Sequence, residues 1–77
     1  MALAWNMDVN ACLVTKIRKL RHEQRFSQEE LADRADLHRT YIIHIENGKR
    51  EISVETLCKI ARGFDILPSE LMNGIAL

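Results

Sequence analysis

Apolar residues recur along this chain at helical spacing. Val9, Leu13, Ile17 and Leu20 form the stripe that one face of an α-helix turns to a core, and Lys16, Arg18, Lys19 and Arg21 occupy its other sides. A first helix is therefore predicted from about Asp8 to His22. A second opens at Ser27-Gln28-Glu29-Glu30. This reads as a capping box, with Ser27 as N-cap, Glu30 reaching back to the Ser27 amide, and Leu31, Ala32 and Ala35 facing inward. A third helix runs from about His38, carries Ile42 and Ile45 inward, and stops at Gly48. Ser53 suits the N-cap of a fourth, with Val54, Leu57, Ile60, Ala61 and Phe64 on its inner face. Pro68 suits the first turn of a fifth, which holds Leu71, Met72 and Ile75. There is no Pro before residue 68, no two-residue alternation, no repeat and no low-complexity run. The predicted fold class is all-α, five helices in one domain over residues 1–77, with 1–7 as an N-terminal extension.

Composition adds a complication. A chain of 77 residues buries only about 60–65% of the surface its unfolded form exposes, so its stability is small and a partner can add to it. Lys plus Arg and Asp plus Glu each number 11, for a net charge of +0, whereas nucleic-acid-binding domains usually carry a basic excess. The charges are segregated, however. Lys16 to Arg25 holds five cations against Glu23, and Phe26 to Leu37 holds Glu29, Glu30, Asp33 and Asp36 against Arg34. His38 to Arg50 is basic again, and the chain from Glu51 onward is acidic on balance. Such a chain can present one positive face and turn its acidic side away.

Two short helices separated by about three residues make a helix-turn-helix when their packing positions agree. Over residues 27–48 they do. Gln28 opens the unit, Leu31 and the small Ala32 face the following helix, and Ile42 and Ile45 complete the contact. With "SQEELA", Leu37, "IIHIENGKR" and "TLCKIA", the chain from about Leu13 to Met72 resembles the lambda-repressor-like, Cro-type (XRE) family of DNA-binding domains. Within it, "LHRTYI", "IENGKR" and "TLCKIARGFDI" most resemble the controller proteins of restriction-modification systems, small homodimers that regulate their own promoter and the endonuclease gene. Phage repressors and antitoxins share the fold. A protein-interaction module on the same scaffold is the alternative that does not bind DNA. One departure is Asp36, where the family usually has Gly in a left-handed turn, a conformation that Asp tolerates.

At 100° per residue Ile42 and Ile45 lie about 60° apart. That leaves Thr40 and Asn47 on the far side, flanked by Ile43 and His44, with Arg39 and Tyr41 on the shoulders. The resemblance implies that the N-terminal half of this helix enters the major groove. Arg39 would then donate two parallel hydrogen bonds to guanine O6 and N7. Thr40, Tyr41 and His44 would reach base edges, and Ile43 would lie against thymine methyl groups. The other reading of Tyr41 is a ring packed over the second helix with its hydroxyl in water. Ser27, Gln28, Asn47, Lys49 and Arg50 occupy positions implied for phosphate contact. The resemblance pairs Glu46 with Arg21 as a structural ion pair. It also makes residues 66–77 a dimerisation region, with Ile66, Leu67, Leu71, Met72 and Ile75 at the interface. The implied partners are a two-fold-symmetric double-stranded DNA operator, a second copy of the chain and, for a regulator, RNA polymerase.

Other chemistry finds little support. Cys12 and Cys58 form no CxxC pair and lie in helical patterns, so they are read as reduced, mostly buried thiols of a cytoplasmic protein. The opening "MALAW" has no basic n-region and is too short for a signal peptide. No run approaches the roughly 18 apolar residues of a membrane span. His22, His38 and His44 share no ligand spacing, and no Ser/His/Asp set or Gly-rich phosphate loop is present, so neither enzyme, metal nor cofactor is expected.

Overall fold

The computed structural model describes residues 8–75. They form five helices: α1 (Val9–Glu23), α2 (Gln28–Ala35), α3 (Arg39–Glu46), α4 (Val54–Gly63) and α5 (Pro68–Met72). The N-terminal extension, residues 1–7, lies outside the described residues.

Side chains start the first, second and fourth helices. The Asp8 carboxylate accepts the Ala11 N–H at 3.2 Å, Ser27 Oγ accepts the Glu30 N–H at 3.0 Å, and Ser53 Oγ accepts the Thr56 N–H at 3.1 Å. Pro68 is the first residue of α5, and the Leu67 N–H donates to Glu70 Oε1 at 3.1 Å. The capping box expected at α2 is only half made. Glu30 turns away from the Ser27 amide, and its Oε2 accepts from Arg34 Nε at 3.1 Å. Arg34 is held there because its guanidinium lies 4.2 Å from the centre of the Phe26 ring, which itself stacks on Phe64 at 6.2 Å.

The first four helices end in one way. Arg25, Asp36, Gly48 and Asp65 each take a left-handed conformation, with φ of 60°, 55°, 73° and 60°. In each case the next residue donates its N–H five positions back: Phe26 to Arg21, Leu37 to Ala32, Lys49 to His44 and Ile66 to Ala61, at 2.9 to 3.0 Å. At three of these ends the donor is apolar, and Phe26, Leu37 and Ile66 fold back onto the core. Each reversal thus satisfies orphan carbonyls and seats a hydrophobic side chain together.

The core is shared by all five helices. Ile17 of α1, Leu31 of α2, Ile42 and Ile45 of α3, Ile60 of α4 and Leu71 of α5 are fully enclosed, each contributing roughly 1.5–3 kcal/mol relative to exposure. Helix α2 packs on both α3 and α4, and α1 packs on α3 and α5. Two expectations fail here. Val54 is 78% exposed although it lies nearly in line with Ala61, because it is the first residue of α4, at the outer end of the helix. Thr56 is buried instead. The thiols are also more open than expected, Cys12 half-buried and Cys58 exposed.

Helix α4 comes close to α2 at Gly63, where a Cβ would meet the Ala35 backbone nitrogen at 3.1 Å and its Cα at 3.3 Å. Backbone atoms in a helix cannot step aside as a side-chain tip can. Gly63→Leu should therefore force α2 and α4 apart and cost about 3 kcal/mol, measured as a lower urea midpoint. An unchanged midpoint would show that this crossing is loose.

Candidate nucleic-acid interface

Helix α3 is fixed from behind and open in front. Ile42 and Ile45 are fully buried, while Arg39 and Thr40 are exposed at its N-terminal end and Asn47, Lys49 and Arg50 are exposed beyond its C-terminal end. Between them Ile43 and His44 are half-buried, shallower than Ile42 but not free. Asn47 is the C-cap residue, and Gly48, with φ 73°, turns the chain into Lys49 and Arg50.

Glu46, the one acidic residue of α3, is removed from this face. Arg21 Nε and Nη2 donate to its two carboxylate oxygens at 2.7 and 2.9 Å, and Gln28 Nε2 adds a third hydrogen bond at 3.1 Å. The side chains of Arg21 and Glu46 are 12% and 2% exposed. Arg21 Nη1 also donates to the Phe26 carbonyl at 2.9 Å, so the guanidinium ties α1, the turn after it and α3 together. Gln28, read from the sequence as a phosphate contact, thus has its side-chain amide engaged with Glu46. Ser27 remains exposed beside it, with its hydroxyl serving as the cap of α2.

Tyr41 departs from the reading of a packed ring with its hydroxyl in water. It is half-buried, and its hydroxyl is not left to water: it shares a hydrogen bond with the Thr56 hydroxyl at 3.2 Å, bridging α3 to α4. Ser53 Oγ donates to the same Thr56 oxygen at 3.0 Å. On the outer side of the ring, the Arg50 guanidinium lies 5.2 Å from its centre, within reach of a cation–π attraction. Tyr41 therefore supports Arg50 as well as facing outward. Thr56 was missed in the sequence because its partner lies 15 residues away. Its place at the third position after Ser53 signals only a capping contact.

The five residues assigned to a dimer interface differ widely in exposure. Leu71 is 0% exposed within this chain's own core, so it has no surface to offer a second copy. Its assignment is corrected. Leu67 is 62% exposed and, with Ile66 and Pro68, borders a cleft against Cys58 and Arg62 of α4. Ile75 borders a different cleft with Leu20 and Cys12 of α1, and Met72 is half-buried.

Comparison with known proteins places this geometry. The family model described as helix-turn-helix matches residues 17–71. The chain belongs to the helix-turn-helix family. It is similar to the control protein C.MunI of a Mycoplasma species, with 45% identity over 69 residues covering 88% of this chain and 93% of the other. Similarity to the control protein C.BamHI of Bacillus amyloliquefaciens is 41% over 59 residues, 75% and 73% of the two chains. Among solved structures, the restriction-modification controller protein C.AhdI from Aeromonas hydrophila superposes with a TM-score of 0.75 at 35% identity, covering 80% of this chain and 94% of that one. The controller protein C.Esp1396I gives a TM-score of 0.80 at 29% identity, covering 86% and 85%. In this helix-turn-helix protein α2 and α3 are the motif, and the Arg21–Glu46 pair sets the angle at which α1 holds it.

That pair allows a direct measurement. Removing one partner strands the other charge in a nearly dry site, so Arg21→Ala and Glu46→Ala should each cost about 3–5 kcal/mol. The double Ala variant should cost less than the sum of the two. Strict additivity in denaturant unfolding would mean that the two groups do not interact.

Proposed function

We propose that the chain is a DNA-binding transcriptional regulator that acts as a homodimer on a two-fold-symmetric operator, as the controller protein of a restriction-modification system acting on its own gene and that of the endonuclease. One observation carries this reading. Arg39, Lys49 and Arg50 stand exposed along α3 and its exit, while the only carboxylate of that helix is buried and neutralised. Arg39 at the N-terminal end is placed to take guanine O6 and N7 in the major groove. Thr40 and His44 complete the base-reading set, and Ile43 supplies an apolar contact for thymine methyl groups. Tyr41 contributes its outer ring edge and its support of Arg50. Lys49, Arg50, Asn47 and the α2 start at Ser27 and Gln28 supply phosphate contacts, Gln28 through its backbone N–H. The setting is the cytoplasm, and RNA polymerase is the further candidate partner if regulation includes activation. A protein-interaction role for α3 would leave these cations without a polyanion, and binding would then lack the steep dependence on salt that phosphate neutralisation produces.

Residues that read sequence and residues that only hold on should separate experimentally. Arg39→Ala should cost roughly 1–3 kcal/mol on the true operator and relax preference at one base pair in each half-site. Lys49→Ala should weaken all duplexes by a similar factor and lower the salt slope by about one unit for each phosphate it leaves without a cation. The measurement is binding of both variants to single-base operator mutants at two salt concentrations. Full wild-type base preference in Arg39→Ala would overturn its assignment.

For the dimer, Leu67 replaces Leu71 as the residue to test. Asp is a favoured N-cap, and Leu67 occupies the N-cap position of α5, so Leu67→Asp should leave the fold intact. A charge in an apolar contact should nevertheless give monomers by sedimentation and abolish tight operator binding. A variant that stays dimeric would move the interface elsewhere.

A further inference from the structure

The segment that carries Lys49 and Arg50 is held differently at its two ends. Up to Lys49 the backbone is fixed by the α3 stop, with Gly48 N–H to the Ile45 carbonyl at 3.0 Å and Lys49 N–H to that of His44 at 2.9 Å. From Thr56 onward the N-cap of α4 takes over. Between Arg50 and Ser53, among the described residues, the one hydrogen bond donated by the backbone runs from the Ile52 N–H to Asn10 Oδ1, at 2.9 Å and across 42 positions of sequence. Asn10 lies in the first turn of α1 and is half-buried. It sits between two shallow clefts, one shared with Asn47 and Gly48, the other with Glu51 and Ile52, so the loop passes over it on both sides.

We propose that Asn10 is a positioning residue for DNA binding: by accepting the Ile52 N–H it fixes the α3–α4 loop and so holds Lys49 and Arg50 where the phosphates pass. The proposal rests on the reading of Lys49 and Arg50 as phosphate contacts. Its physical basis is entropic. Two long cationic side chains on an unpaired backbone lose more freedom on binding than the same side chains on a fixed one, and preorganisation returns that difference as affinity. Arg50 is steered from its other side by the Tyr41 ring, and Lys49 has no corresponding side-chain contact among the described residues, so the backbone anchor matters most for it. Asn10 touches no base in this arrangement, and its effect is uniform across DNA sequences.

The test uses the full chain. Asn10→Ala should keep the helix, since Ala is the best helix former, and the Ile52 amide should lose protection from hydrogen exchange. Asn10→Asp, which keeps an acceptor oxygen, should retain that protection. Operator affinity of Asn10→Ala should fall about fivefold per protomer, the loss equivalent to one hydrogen bond of ~1 kcal/mol, with base preference unchanged. In a Lys49→Ala/Arg50→Ala background the same change should have little further effect, because the groups it positions are gone. Wild-type affinity in Asn10→Ala, or an equal fold-loss in both backgrounds, would overturn the proposal while leaving the phosphate contacts standing. If Lys49→Ala/Arg50→Ala bound DNA as well as wild type, the contacts themselves would be misassigned and the proposal would fall with them.

Discussion

A carboxylate buried in the third helix obliges three parts of the chain to meet. Glu46 is 4% exposed, and an ionised group can stay there only if its oxygens are satisfied and its charge is matched. Arg21 supplies two hydrogen bonds and the charge, and Gln28 supplies a third. Because Arg21 is on α1, Gln28 on α2 and Glu46 on α3, the orientation of α3 relative to the other two follows from one planar, bidentate contact. The apolar core alone would permit small rotations of α3, since Ile42 and Ile45 can slide among other branched side chains. A fork of fixed geometry does not permit them. The same contact clears the negative charge from the outward face, so a single pair both aims the helix and sets its sign.

What could be read from the sequence divides along physical lines. The helices, their order and the inner residues Leu31, Ala32, Ile42, Ile45 and Ile60 were legible because periodic burial is a local signal. Helix ends were legible where a residue type announces them, as at Ser27, Gly48 and Pro68. Arg25 was not, since Arg is not a usual left-handed residue, and Asp65, although Asp tolerates the conformation, carries no other stop signal beside it. What holds each reversal is the apolar residue behind it, Phe26 or Ile66. Helix α5 shows the limit most sharply. Five residues make little more than one turn, so spacing cannot say that Leu71 is enclosed while Leu67, four positions earlier and outside the helix, is exposed.

Around the candidate site the same division holds. Cations on an outward helical face are visible in the sequence as an interruption of the apolar stripe, and Arg39, Lys49 and Arg50 are exposed in the structure. The contacts that fix their surroundings are not visible in that way. Gln28 to Glu46, Tyr41 to Thr56 and Asn10 to Ile52 each join residues 15 or more positions apart. Each uses a polar side chain of a type common on surfaces, and only the packed fold reveals that it faces inward.

Zero net charge also acquires a physical reading. Attraction to a polyanion is screened beyond a Debye length of about 8–10 Å, so a chain with no net charge depends on how its charges are distributed rather than on their total. Contact energy depends instead on charges within that length of the phosphates. Arg21 is spent on Glu46, and Arg34 is paired with Glu30 at the base of α2. Arg39, Lys49 and Arg50 are exposed along α3 and its exit without an ion pair among the described residues. A domain with few unpaired cations gains little from non-specific phosphate contact and depends on where those cations stand. Tyr41 under Arg50 and the core under α3 fix that placement from behind, so the same packing that stabilises the fold also limits where these charges can stand.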